Sequence, residues 1–165
     1  MNTINSFQFR TDKEKRMIYV EKHFDASGPL VWRTWTEPDL LDKWWAPKPW
    51  KARTREMKFE KNGFWHYAMV GPEGECHWAI FNYNSIEPER GFSGSSAFTD
   101  EQRSSTDGPV SFWSTVFDSS AGRTRVKIDI AFEELAALET MIGMGFREGF
   151  ESGLQNLDML LPGLS

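Results

Sequence analysis

Catalysis or metal binding in this chain would have to come from 3 histidines, 1 cysteine and 24 acidic residues. His23, His66 and His77 fall on three different predicted strands, and His66 and His77 flank a Pro72-Glu73-Gly74 turn that could bring them close across a hairpin. Cys76 adjoins His77, but neighbouring strand residues point to opposite faces, so the two cannot readily share one ion. No metal site is expected. A nucleophilic Cys76 would need a helix N-terminus or cationic neighbours to lower its pKa, and it stands beside Glu73 and Glu75 instead. Gly143-Met144-Gly145 lies inside a helical pattern with no strand before it, which argues against a phosphate-cradling loop. None of the carboxylates shares a predicted apolar face with a partner, as paired acid–base chemistry would require. The expectation is no catalytic residue and no cofactor.

What the sequence has in abundance is rings: 8 Trp, 13 Phe and 3 Tyr in 165 residues. Aromatic side chains supply large buried area, either as an ordinary core or as the walls of an apolar pocket. The chemistry open to such a chain is recognition by apolar contact.

Size and charge narrow the setting. At 165 residues one domain with a sizeable core is expected. A net charge of −5 and the absence of a basic stripe argue against nucleic acid as a partner. A lone cysteine cannot build a disulfide framework and suits a reducing cytoplasm. No apolar run reaches the roughly 18–20 residues that span a bilayer, and the N-terminus lacks the apolar segment of a signal peptide.

The elements that would position the rings can be read in order. Residues 1–16 are polar and charged and read as a solvated lead-in to a domain over 17–165. Met17 to Phe24 is the first expected strand. Two short helices follow, the first opened by Ser27-Gly28-Pro29, the second capped by Thr36 with Glu37-Pro38 in its first turn. From Lys51 the periodicity becomes two, with strands expected over 53–60, 64–70, 76–86, 92–98, 110–117 and 123–132. Asn62-Gly63 is the strongest hairpin signal. Asp100 to Pro109 is the most polar loop and the one expected to be mobile. One long helix is expected from Glu133 to Leu161, with Ile142, Phe146, Phe150, Leu154, Leu157 and Leu161 on one stripe and Pro162-Gly163 as its stop. Gly145, Gly149 and Gly153, four apart, each lower helix propensity by about 1 kcal/mol and so suggest close approach of something to that face. Short turns between successive strands imply an antiparallel meander, which the terminal helix would cover.

Four segments carry a family resemblance: FDASGPLVWRTWTEPDLLDKWWAP at 24–47, NGFWHYAMVGPEGE at 62–75, IEPERGF at 86–92 and GFESGLQNLDMLL at 149–161. In these the chain resembles the activator-of-heat-shock-ATPase homologue (AHSA-type) family of the SRPBCC or START-like superfamily, to which the birch-pollen allergens also belong. The resemblance implies an α+β helix-grip fold: a curved antiparallel sheet of six to seven strands around a long C-terminal helix, with an apolar cavity between them. It implies a hydrophobic small molecule as ligand, facing Trp65, Tyr67 and Met69 on the sheet and Ile142, Phe146 and Phe150 on the helix. Trp45 and Trp113 would close the ends, and the Tyr83 hydroxyl could orient the ligand. Bulky Trp78 and Phe81 depart from the family pattern and would narrow or fill the cavity. Two other functions are compatible with the family. One is a cochaperone-like module, monomer or homodimer, that stimulates a chaperone ATPase through an exposed apolar patch; the other is a cavity enzyme of cyclase or hydrolase type.

Overall fold

The computed structural model describes residues 6–164. Its sheet has eight strands: β1 (Phe7–Asp12), β2 (Met17–Phe24), β3 (Lys51–Met57), β4 (Phe64–Val70), β5 (Cys76–Glu87), β6 (Gly91–Thr99), β7 (Thr106–Ser120) and β8 (Arg123–Ala131). All neighbours are antiparallel, in the order β1-β2-β8-β7-β6-β5-β4-β3. Helices α1 (Gly28–Thr36) and α2 (Pro38–Trp44) follow β2, and α3 (Leu135–Gly143) and α4 (Phe146–Leu160) close the chain. None of these helices is long and apolar enough to cross a membrane.

The count exceeds the expected six to seven strands because part of the presumed lead-in is a strand. Phe7 and Phe9 alternate with polar Gln8 and Arg10, and the charged run after them is a hairpin turn in which Lys15 N donates to Asp12 Oδ1 at 3.1 Å. Phe9 reaches the start of α4, 6.1 Å from the Phe146 ring. Residues 1–5 of that lead-in lie outside the described residues.

One face of the sheet is dry. Ile18, Val20 and Phe24 of β2 and Val126, Ile128 and Ile130 of β8 are buried there with Leu154, Leu157 and Leu161. Bulges at Thr54/Glu56, Tyr83/Ser85 and Ser96/Phe98 bend the strands around that face. Lys22 also points inward, only 2% exposed, with Nζ 2.8 Å from the Asp158 carboxylate of α4. Burial holds that carboxyl above the ordinary aspartate value although Lys22 pulls the other way.

The terminal helix is not continuous. Gly145 has φ +86°, a conformation that favours glycine, and it ends one helix and starts the next. Nothing crowds Gly143 or Gly145, whereas a Cβ on Gly153 would lie 3.0 Å from Trp45 O and 3.2 Å from Trp44 O. The three glycines expected on one face therefore do different work: Gly145 makes the break, Gly153 lets α4 touch the end of α2, and Gly149 faces Pro47, whose Cγ would lie 3.7 Å from an added Cβ. The second short helix is also capped differently, by Glu37. The Thr36 hydroxyl instead donates back to Trp32 O at 2.8 Å.

Two substitutions separate a glycine in open space from one in close contact. Gly143→Ala adds helix propensity in open space and is expected to raise stability by about 0.5–1 kcal/mol. Gly153→Val drives atoms into backbone carbonyls and is expected to lower it by about 2–3 kcal/mol. Urea unfolding monitored by circular dichroism checks both, and equal effects of the same sign would refute the division.

Candidate ligand-binding cavity

Between the dry face and the first half of α4 lies a cavity of about 250 Å³. Its sheet wall is Tyr67 and Met69 of β4, His77 and Ala79 of β5, Ser96, Ala97 and Phe98 of β6, and Pro109 and Trp113 of β7. Its helical wall is Met141, Met144, Gly145, Phe146, Gly149 and Phe150, and Trp45 and Pro47 close the side next to α2. Cross-strand register explains the sheet wall. Met69 pairs with His77, Tyr67 with Ala79 and Ala79 with Phe98, so all stand on one face of the pleat.

Six of the nine residues expected at a ligand line this space: Trp45, Tyr67, Met69, Trp113, Phe146 and Phe150. Trp65 and Tyr83 do not. They sit one layer deeper, around an inner void of about 20 Å³ shared with Trp35, Phe81 and Phe92. Tyr83 is wedged 4.9 Å from Phe59 and 5.1 Å from Phe81, and burial pushes its phenol far up. Ile142 is also absent from the lining. A continuous helix would have placed it there, but the break at Gly145 changes the phase and presents Met141 and Met144 instead.

The two bulky residues expected to fill the cavity leave it open. Trp78 is on the outer face, opposite Ala68 and 4.9 Å from the His66 ring. Phe81 points inward but joins the deeper layer, 5.9 Å from Phe92. The space persists where small residues stand, at Ala79, Ser96, Ala97 and Gly149. Single small residues within a strand of rings carry little sequence signal, so Ala79, Ser96 and Ala97 escaped the sequence reading, whereas Gly149 stood out by its spacing from Gly145 and Gly153.

Trp45 is the hub of the aromatic layer. Its ring contacts Trp44 at 5.2 Å, Trp65 at 5.3 Å, Phe150 at 5.9 Å and Trp113 at 6.2 Å. Its Nε1 donates to the Tyr67 hydroxyl at 3.0 Å. Trp65 stacks on Tyr67 at 3.9 Å and donates through Nε1 to Thr54 Oγ1 at 2.9 Å. Thr54 in turn donates to Asp42 Oδ1 through both its backbone N–H, at 2.9 Å, and its hydroxyl, at 2.6 Å. A polar chain thus runs from α2 through β3 and fixes the orientation of the cavity rings. Burial lifts the Asp42 carboxyl above its ordinary value against those two donors. Tyr67, with its phenol pushed up to about 12 by burial, stays neutral.

This arrangement matches a known family. The Activator of Hsp90 ATPase homolog 1-like protein family matches residues 25–162. The chain belongs to that family. Its fold is similar to the solution structure of a protein from Arthrobacter aurescens, with a TM-score of 0.89, 26% identity, and coverage of 96% of this chain and 92% of that one. A crystal structure of a Mycobacterium smegmatis protein gives a TM-score of 0.86 at 24% identity, covering 96% of this chain and 99% of that one. An AHSA1 protein from Silicibacter pomeroyi gives 0.70 at 17% identity, covering 88% and 97%. These likenesses show the helix-grip α+β fold. A comparison with curated proteins gives no match.

The histidines are apart. His23 Nε2 pairs with Glu21 Oε2 at 3.0 Å, and His77 meets Trp50 edge-on at 5.2 Å at the cavity rim. His66 pairs with Ile80, three positions out of register from the His77 pair and so on the opposite face. It does not meet His77. Among the described residues no three His, Cys, Asp or Glu side chains cluster as metal ligands would.

His66 lies under the polar loop, which is shorter and more tied down than expected, since β7 already begins at Thr106. Asp100 Oδ1 accepts the backbone N–H of Gln102 at 3.0 Å and of Ser104 at 2.9 Å, and Oδ2 accepts the Ser104 and Ser105 hydroxyls. These bonds, Ser104's hydroxyl foremost, hold the Asp100 carboxyl down to about 2. Arg103 lies 3.8 Å over the Phe64 ring, and His66 Nε2 donates to Asp100 O at 3.0 Å.

Burial, with Arg103 and Arg55 nearby, lowers the His66 pKa despite the Asp100 contacts. The folded state then binds this proton less tightly than the unfolded chain does. Stability is full above the ordinary histidine value of about 6.5 and is lost as pH falls from there toward the depressed folded-state value. Thermal midpoints measured between pH 7.5 and 5 should fall in the wild type and fall less steeply in His66→Gln. An equally steep decline in the variant would assign the effect elsewhere.

Proposed function

We propose that this protein binds a hydrophobic small molecule in the cavity between the sheet and α4. The observation that carries the proposal is a space of about 250 Å³ walled by aromatic rings and methionines, inside a scaffold whose remaining core is closely filled. Apolar concavities with few polar groups are the usual form of small-molecule sites. The exposed, unpaired Cys76 supports a reducing compartment such as the cytoplasm.

A cochaperone-like role has its own support. Val110, Phe112 and Val116 share the outer face of β7 and are 36%, 39% and 49% exposed, outside the grip. A chaperone could dock there without using the cavity. Stimulation of a chaperone ATPase that Phe112→Asp abolishes would favour this second reading, and an unchanged ATPase rate at high protein excess would remove it.

The cavity reading is tested by blocking the space from its helical wall. A Cβ at Gly149 would lie at ordinary contact distance from Pro47 Cγ, 3.7 Å, and the substitution gains helix propensity. Titration with the neutral fluorophore Nile red should saturate on the wild type. In Gly149→Leu affinity should fall by about tenfold or more, the loss expected when well over 1 kcal/mol of apolar contact is excluded. The thermal midpoint should hold or rise. Equal binding to both proteins, or to neither, would count against ligand binding at this site.

A further inference from the structure

Resting on the ligand-binding reading, the inference concerns what the ligand must carry. Of the cavity's polar side chains Ser96 is half-buried and His77 exposed at the rim, so the one fully buried hydroxyl in the lining is that of Tyr67. Tyr67 is 4% exposed, and its hydroxyl accepts from Trp45 Nε1 while donating to none of the described residues. A phenol has one proton to give as well as lone pairs to fill, so half of its hydrogen-bonding capacity is open. Stacking on Trp65 and the bond from Trp45 hold the ring, so the donor is preorganised rather than recruited. A buried hydroxyl proton without an acceptor is costly, and a ligand oxygen would relieve that cost.

Charge decides the rest. No Lys, Arg, Asp or Glu lines the cavity, and His77, the one lining residue able to become cationic, is exposed at the rim. A carboxylate drawn inside would lose its water and find no counter-ion. The body of the ligand would meet Trp113, Phe146 and Phe150, with Phe146 and Phe150 stacked 15° apart in plane at 5.3 Å and Trp113 edge-on to both. Such walls favour flat rings, which can stack or meet them edge to face.

We infer that the cavity selects neutral molecules with a flat aromatic body and a carbonyl or ether oxygen, which accepts the hydrogen bond donated by Tyr67. A free fatty acid or any other anion is disfavoured.

Three small two-ring probes test this by calorimetry: benzophenone, diphenylmethane, which lacks the oxygen, and diphenylacetate, which is anionic. Wild-type protein should bind benzophenone about tenfold more tightly than diphenylmethane, the ratio one net hydrogen bond supplies. Diphenylacetate should bind most weakly. In Tyr67→Phe, which also leaves Trp45 Nε1 without its acceptor, the preference for benzophenone should vanish while diphenylmethane still binds. The carbonyl stretch of benzophenone bound to the wild type should lie at lower wavenumber than that of benzophenone in cyclohexane, the shift a hydrogen bond to the carbonyl oxygen produces, a readout that does not depend on the variant folding. Equal affinity for ketone and hydrocarbon with no infrared shift would overturn the inference and leave the cavity as a ligand site. A preference that survives in Tyr67→Phe, or tightest binding by diphenylacetate, would also overturn it. Failure of all three probes would remove the ligand-binding reading itself.

Discussion

The dry side of this protein depends on how closely α4 approaches the end of α2. Helix ends leave carbonyl groups without intrahelical partners, and here those of α2 face the terminal helix. Gly153 carries no side chain, so the Trp44 and Trp45 carbonyls sit 3.2 and 3.0 Å from where a Cβ would be. Three residues on, Asn156 Nδ2 donates to Trp44 O at 3.4 Å and Ala46 O at 3.0 Å. Asp158 then meets the buried Lys22 of β2. A pair of this kind contributes little net stability, but removing one partner would leave a buried charge and cost several kcal/mol. The C-terminal half of α4 is thereby held to two separate parts of the fold.

The first half of α4 meets the rest of the fold through rings, and the cavity opens beside it. The chain breaks at Gly145, so Phe146, Gly149 and Phe150 enter from a new helix start rather than as a continuation of α3. Rings could still have closed the gap, since Trp45, Trp65, Phe81, Tyr83 and Trp113 are all nearby. Trp65, Phe81 and Tyr83 pack instead into a deeper layer, with Trp65 bonded through Thr54 to Asp42, while Trp45 and Trp113 wall both spaces. What remains open is bounded by alanine, serine and glycine positions. The architecture therefore separates a filled aromatic core, which stabilises the fold, from an unfilled aromatic vestibule, which is available for binding.

Much of this was legible in the chain. The alternation of Val126, Ile128 and Ile130 with charged residues marks a strand wet on one side, and the Phe146–Phe150–Leu154–Leu157 spacing marks a helix lying on a sheet. The segment at 24–47, supported by those at 62–75, 86–92 and 149–161, pointed to the family. Trp45, Tyr67, Met69, Trp113, Phe146 and Phe150 could be placed at the cavity because strand parity and helical phase are local properties. Several of the readings that failed involve longer range. Asp12 to Arg16 looks like a solvated tail until Phe7 and Phe9 find β2. Ile142 stands on the right stripe only if the helix is straight. Trp78 threatens the cavity only if its strand is taken in the wrong phase relative to Ala79.

Composition and periodicity, by themselves, determined the class of fold, the antiparallel meander, the covering helix and an interior dominated by rings, because each depends on which residues must leave water and at what spacing. The tertiary structure alone decided that the interior is not full. Whether a cavity exists is set by differences of an ångström or two in how rings from distant segments interlock, and by a single glycine at φ +86° that turns one helix into two. It also decided which of three tyrosines offers a proton to that space, since the role of a hydroxyl depends on its partner, here a tryptophan 22 residues away.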